Sequence, residues 1–105
     1  MAIVMSGDSA VSIDDSKTSA VRALVPLGKA ARGYVGVIDH LAPEVEGSAL
    51  SAAELERRLL ELGFVEGARV EILHEGILGR DPIAVRIENV TIAVRRREAM
   101  AVIVA

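Results

Sequence analysis

At 105 residues the chain is a single domain, able to bury a usable core but with no surplus. Hydrophobic residues make up 51% and aromatics only 2%, so the core must be built from Val, Ile, Leu and Ala, and base stacking could fall only to Tyr34 and Phe64. A net charge of −3 argues against phosphate binding, and the absence of cysteine excludes disulfides and thiolate metal sites while suiting the cytosol.

Residues 1–21 are small and polar, as in Ser6-Gly-Asp-Ser9 and Ser12-Ile-Asp-Asp-Ser-Lys-Thr-Ser19. They read as a flexible N-terminal extension. A second reading lets Ala2-Ile-Val-Met5 and Ala10-Val-Ser-Ile13 add a short strand to a sheet edge. Met1 to Met5 is too short for a signal-peptide core and has no basic start. No run approaches the length that spans a bilayer, so no membrane insertion and a cytoplasmic location are expected. Without a secretory signal, the sequon Asn89-Val-Thr91 is not read as glycosylated.

The domain proper is expected over 22–105. Pro26-Leu-Gly28 reads as a turn. Arg32 to Leu41 reads as a strand, with Tyr34, Val35, Val37 and Ile38 favouring pleated backbone. Gly33 and Gly36 would mark a bulge or sharp bend in it. His40 to Leu50 is a loop. Ser51-Ala-Ala-Glu54 has the pattern of a capping box, opening a helix over about 52–62 with Leu55, Leu59 and Leu62 on one face. Glu54–Arg58 and Arg57–Glu61 are spaced as ion pairs along it.

Gly63 ends the helix, Phe64 and Val65 can fold back on its last turn, and Gly67 makes a second corner before a strand over about 69–75. Gly76 to Pro82 is a loop. Ile83 to Glu88 is the clearest strand, with Ile83, Val85 and Ile87 facing one way. A tight turn at Glu88-Asn-Val90 leads to a strand that faces Ile92 and Val94 inward, with Asn89 suited to positive φ. Arg95 to Ala99 makes a short crossing to a closing strand over 101–104. The core expected from these patterns is Val37, Leu55, Leu59, Leu62, Val70, Ile72, Ile83, Val85, Ile87, Ile92, Val94 and Ile103. The elements point to a mainly β fold, a small bent barrel of about five strands with one inserted short α-helix. Strand alternation alone does not separate an SH3-like barrel from an OB-fold.

Arg58-Leu-Leu-Glu-Leu-Gly-Phe-Val-Glu-Gly-Ala-Arg-Val70 resembles the signature of the FeoA family, small cytosolic proteins of bacterial ferrous-iron uptake. Leu24-Val-Pro-Leu-Gly-Lys-Ala-Ala-Arg32 resembles the family's opening, Leu78-Gly-Arg-Asp-Pro-Ile83 its central loop, and Thr91 to Ala105 its last strands. Arg80 stands as an extra residue in that loop, and Asn89 stands where the family more often has glycine. The resemblance covers about 22–105. It implies an SH3-like barrel with the helix inserted between its first two main strands. It also implies a non-enzymatic accessory protein of ferrous-iron uptake that binds the cytosolic GTP-binding part of the membrane permease FeoB. Two other readings are an interaction module in an iron-dependent transcription regulator system, whose C-terminal domain has a similar barrel, and a small RNA-binding barrel.

The residues offer little catalytic chemistry. His40 and His74 are the only histidines, and neither lies in a nucleophile motif such as Gly-x-Ser-x-Gly. His40 with Glu44 and Glu46, or His74 with Glu71 and Glu75, could form at most weak metal sites, and exposed polar side chains are the preferred reading. No phosphate loop is present, because the Gly-Lys-Ser/Thr step is missing. No cofactor, no tightly held metal, no enzyme activity and no nucleic-acid partner are therefore expected. Arg95-Arg-Arg97, with Arg57 and Arg58, could form an anion-binding patch but reads more simply as solvated charge. Ile77-Leu78 is an apolar pair in a turn, either a plug tucked under the barrel, the preferred reading, or an exposed anchor. In the second case Ile77, Leu78, Arg80 and Asp81, joined by Leu60, Leu62 and Phe64 at the helix end, would form a docking patch for a partner or a second copy.

Overall fold

The computed structural model describes residues 23–105. The expectations for residues 1–21 lie outside the described residues. The chain runs through β1 (Val25–Pro26), a 3-10 turn (Leu27–Lys29), β2 (Val35–Leu41), α1 (Ala52–Leu62), β3 (Arg69–Glu75), β4 (Ile83–Ile87), β5 (Val90–Val94), α2 (Arg96–Ala99) and β6 (Val102–Val104). All six strands form one antiparallel sheet in the order β1-β6-β2-β3-β4-β5. The two-residue strand β1 makes six strands where about five were expected. The sheet is strongly bent but not closed, since β1 and β5 remain its two ends.

Two irregularities help it bend. The pairing shifts between Ile38 and His40 in β2, and between Ile72 and His74 in β3. Each adds a residue on one side of a ladder and increases the local twist. The bulges therefore fall at Asp39 and Leu73 rather than at Gly36, while Gly33, at φ 93°, lies in the turn before β2. Gly36 serves a different purpose. A Cβ there would run into the Tyr34 ring and lie 2.8 Å from the Ala105 carbonyl.

The helix forms as its sequence dictates. Ser51 Oγ accepts from the Glu54 N–H at 3.2 Å, and Glu54 Oε1 accepts from the Ser51 N–H at 3.3 Å. Gly63 closes α1 at φ 106°, and the Phe64 N–H then donates to the Leu59 carbonyl. This turn drives Phe64 fully into the core, beside Leu55 and Leu59. Arg57 pairs with Glu61 at 3.7 Å, whereas Arg58 turns away from Glu54 and meets Glu98 of α2 at 3.6 Å.

The core is aliphatic apart from Phe64, and no polar or charged residue among those described is buried. Leu55, Leu59, Val70, Ile72, Ile83, Val85, Ile87 and Val94 are buried as expected, and Leu62 and Ile92 pack against them. Two strands differ in phase. Ile38, not Val37, points inward, because Gly36 occupies the preceding inward position and hides the alternation. In β6, Val102 and Val104 are buried and Ile103 is only partly so. At the β4–β5 turn positive φ falls on Glu88, at 54°, rather than on Asn89. The Glu88 side chain accepts from the Arg69 N–H at 3.0 Å, and the Glu88 N–H donates to the Arg69 carbonyl at 3.1 Å, which holds the corner there.

Candidate partner-docking site

The loop between β3 and β4 is the most conspicuous surface feature. Ile77 is 99% and Leu78 is 85% exposed, so the pair is no plug. The reason lies in the loop's backbone. The Gly76 N–H donates to the Pro82 carbonyl at 2.8 Å, and the Asp81 N–H to the Leu78 carbonyl at 3.3 Å, closing a tight turn. Gly79 and Arg80 both take positive φ, at 68° and 61°, and the Asp81–Pro82 peptide is cis. A Cβ on Gly76 would collide with the Asp81 carbonyl, so the loop's two legs touch and leave no space for Ile77 or Leu78 between them.

Arg96, at the start of α2, holds this loop in place. Its Nε donates to the Arg80 carbonyl at 2.8 Å. One Nη donates to the carbonyls of Gly28 at 3.0 Å and Ala30 at 2.7 Å, and the other meets Glu75 Oε2 at 2.6 Å. Its backbone N–H donates to Asp81 Oδ1 at 2.8 Å. Glu75 Oε2 also accepts from the Arg32 N–H at 3.3 Å. The Arg96 and Glu75 side chains are only 18% and 21% exposed, so this charge-assisted network is largely withdrawn from water. One residue thus ties the 3-10 turn, the end of β3, the exposed loop and α2 together. Close packing completes the joint, because a Cβ on Gly28 would strike the Arg96 carbonyl and come within 2.9 Å of the Met100 amide.

Of the residues read from the sequence as a docking patch, Ile77, Leu78, Arg80 and Asp81 share this loop. The helix-end residues stand apart. Phe64 is fully buried and offers no docking surface, which corrects its place in the patch; it is core because Gly63 turns it under the helix. Leu62 packs on the core, and Leu60 is 44% exposed in a shallow depression on the outer side of α1 with Ala53, Glu56, Arg57 and Glu61. A Cβ on Gly63 would lie 3.7 Å from Ile87, which pairs with Val70 at the opposite end of β3 from the loop. Five strand residues separate the two regions, about 17 Å at the rise of an extended strand.

Sequence reasoning missed Arg96. Three arginines run together at 95–97, and nothing local says which turns inward. Its partners lie 15 to 68 positions away, so no short-range pattern could have named it.

The histidines are separated. His40 Nδ1 contacts Asp39 Oδ2 at 2.7 Å on an exposed stretch of β2, and His74 is exposed on β3. Among the described residues no group of three His, Asp or Glu side chains converges as a metal site would require. No described helix is long and apolar enough to cross a membrane.

The family model for the FeoA domain matches residues 25–105, which takes in every element described above. The chain belongs to the FeoA family. FeoA proteins are small accessory proteins of ferrous-iron transport. No curated protein matches the sequence. Among solved structures, the FeoA protein of Chlorobium tepidum is similar at 30% identity, over 76% of this chain and 68% of that one, with a TM-score of 0.62. Stenotrophomonas maltophilia FeoA, solved with zinc and described as a prokaryotic SH3 domain protein, is similar at 29% identity, over 75% of this chain and 87% of that one, with a TM-score of 0.60. The mainly β, SH3-like assignment of the fold agrees with that description. A manganese-dependent transcriptional repressor shares the fold at 18% identity, over 83% of this chain and 44% of that one, with a TM-score of 0.62.

Proposed function

We propose that this FeoA-family chain is a cytoplasmic, non-enzymatic accessory protein of ferrous-iron uptake that binds the cytosolic GTP-binding part of a FeoB-type permease. Ile77 and Leu78 anchor the contact, with Arg80 and Asp81 beside them. The observation that carries this reading is a pair of almost fully exposed aliphatic side chains on a loop held rigid from behind by Arg96. A preordered apolar anchor with a polar rim loses little conformational entropy on binding. Leu60, on α1, is outside the contact. A role for this surface in self-association is the competing use.

The test is Leu78→Glu. Because Leu78 is exposed, the variant is expected to keep its unfolding free energy within about 0.5 kcal/mol of the parent's. Its affinity for the purified permease is expected to fall at least about tenfold, as for loss of an interface anchor. Restoration of ferrous-iron uptake in a deletion strain should fall with it. Unchanged uptake and unchanged affinity would remove the anchor, and no binding of the parent chain to the permease would remove the partner. The second reading, a module serving an iron-dependent regulator, is favoured by the likeness to the repressor fold alone. Retrieval of a DNA-bound regulator in place of the permease would select it.

A further inference from the structure

The loop carrying Ile77 and Leu78 sits in the middle of an unusually basic end of an otherwise acidic chain, whose net charge is −3. Arg80 belongs to the loop itself. Lys29 lies between Gly28 and Ala30, both of which accept from Arg96. The Arg32 backbone donates to Glu75, the last residue before the loop. Arg95 follows Val94, the partner of Ile83 where the loop ends. All four side chains are exposed, and none makes an ion pair among the described residues. The carboxylates at this end are Glu75, paired with the Arg96 guanidinium, and Asp81, which accepts from the Arg96 backbone N–H. Arg97 lines a groove with Glu44 and Glu46, and Glu98 meets Arg58, so neither changes this balance.

We infer that the surface this end docks on is an acidic protein surface surrounding an apolar socket. The inference rests on the proposed permease partner and adds the chemistry of its contact. Five basic side chains, those of Lys29, Arg32, Arg80, Arg95 and Arg96, outnumber the two carboxylates, so positive charge is in excess here in the free chain, and an acidic partner relieves that excess. Complementary charge steers encounter and fixes orientation, while the two aliphatic side chains, once buried, slow dissociation. Arg32, Arg80 and Arg95 present guanidinium forks suited to bidentate pairing with carboxylates.

The experiment measures the dissociation constant of the full chain for a FeoB-type permease in phosphatidylcholine nanodiscs at 50 and 300 mM KCl. Lys29 and Arg95 contribute no side-chain contact to the Arg96 network, so the double variant Lys29→Glu/Arg95→Glu tests charge without disturbing the loop. It should bind at least about tenfold more weakly than the parent at low salt and within about threefold of it at high salt, because screening removes exposed pairs. The neutral double variant Lys29→Gln/Arg95→Gln should fall between the two, with an unfolding midpoint matching the parent's. Parent-like affinity of both charge variants at low salt, with binding still lost in Leu78→Glu, would overturn the acidic socket and leave the permease reading standing. No binding by the parent chain at either salt would remove the permease reading and this inference with it. Equal affinity for phosphatidylglycerol vesicles lacking permease would overturn it in favour of a lipid surface.

Discussion

Arg96 shows how far one side chain can act. Removing it would leave Glu75 and the carbonyls of Gly28, Ala30 and Arg80 short of their charged donor in a site that is largely shielded from water. Losing charged hydrogen bonds of this kind costs about 1.5–3 kcal/mol. Arg96→Ala is therefore expected to lower the thermal midpoint by about 10 °C, at ~4–8 °C per kcal/mol for a domain of this size. Arg96→Lys should recover little, since an ammonium cannot reach four acceptors in the plane that a guanidinium spans. Differential scanning calorimetry checks both, and parent-like stability of the lysine variant would show that charge alone suffices. Gly28 belongs to the same joint. With a Cβ directed at the Arg96 carbonyl, Gly28→Ala should destabilise by about 1–3 kcal/mol through overpacking, measurable in urea. The exposed pair Ile77 and Leu78 illustrates the opposite case: identical chemistry to the core, yet outside it, because the loop's legs close on each other first.

Among the elements, α1 is the one whose local sequence and tertiary setting agree most closely. Ser51, Glu54, the leucine face and Gly63 each support the same helix, and its observed ends match the capping signals. Ser51→Ala should cost about 1 kcal/mol, seen as a lower urea midpoint with an unchanged m-value. The strands agree less evenly. Strand β4 alternates cleanly and β3 does so as far as Ile72, before its bulge, so their inward residues are readable from the pattern. Strand β2 is not readable in this way, because an inward glycine shifts the apparent alternation by one and makes Val37 look buried when Ile38 is. Strand β6 is three residues of uniformly apolar sequence, where no alternation exists to choose between Ile103 and its neighbours. Strand β1, only Val25–Pro26, exists because β6 lies beside it, with Val25 paired to Val104 and Pro26 to Ile103. No local propensity distinguishes it from the turn that follows.

For the molecule as a whole, the buried cluster of described residues runs from Leu27 to Val104 and joins both ends of the sheet with α1. A chain shortened to 22–105 is expected to unfold in one cooperative step, with a midpoint within about 5 °C of the full-length chain. A broad or strongly lowered transition would assign residues 1–21 a part in the fold. Composition, the caps and the strand alternation already determine a small aliphatic β domain with one helix between its strands, because these depend on neighbours within a few positions. The family signature does the same for the likeness to FeoA proteins, being written in consecutive residues. Other properties come into being only when distant segments meet. The inward turn of Arg96, the basic end around Ile77 and Leu78, and the sheet left open between β1 and β5 all depend on which residues are brought together across the chain. Contacts of that kind are set by packing and backbone closure in three dimensions, and no local pattern encodes them.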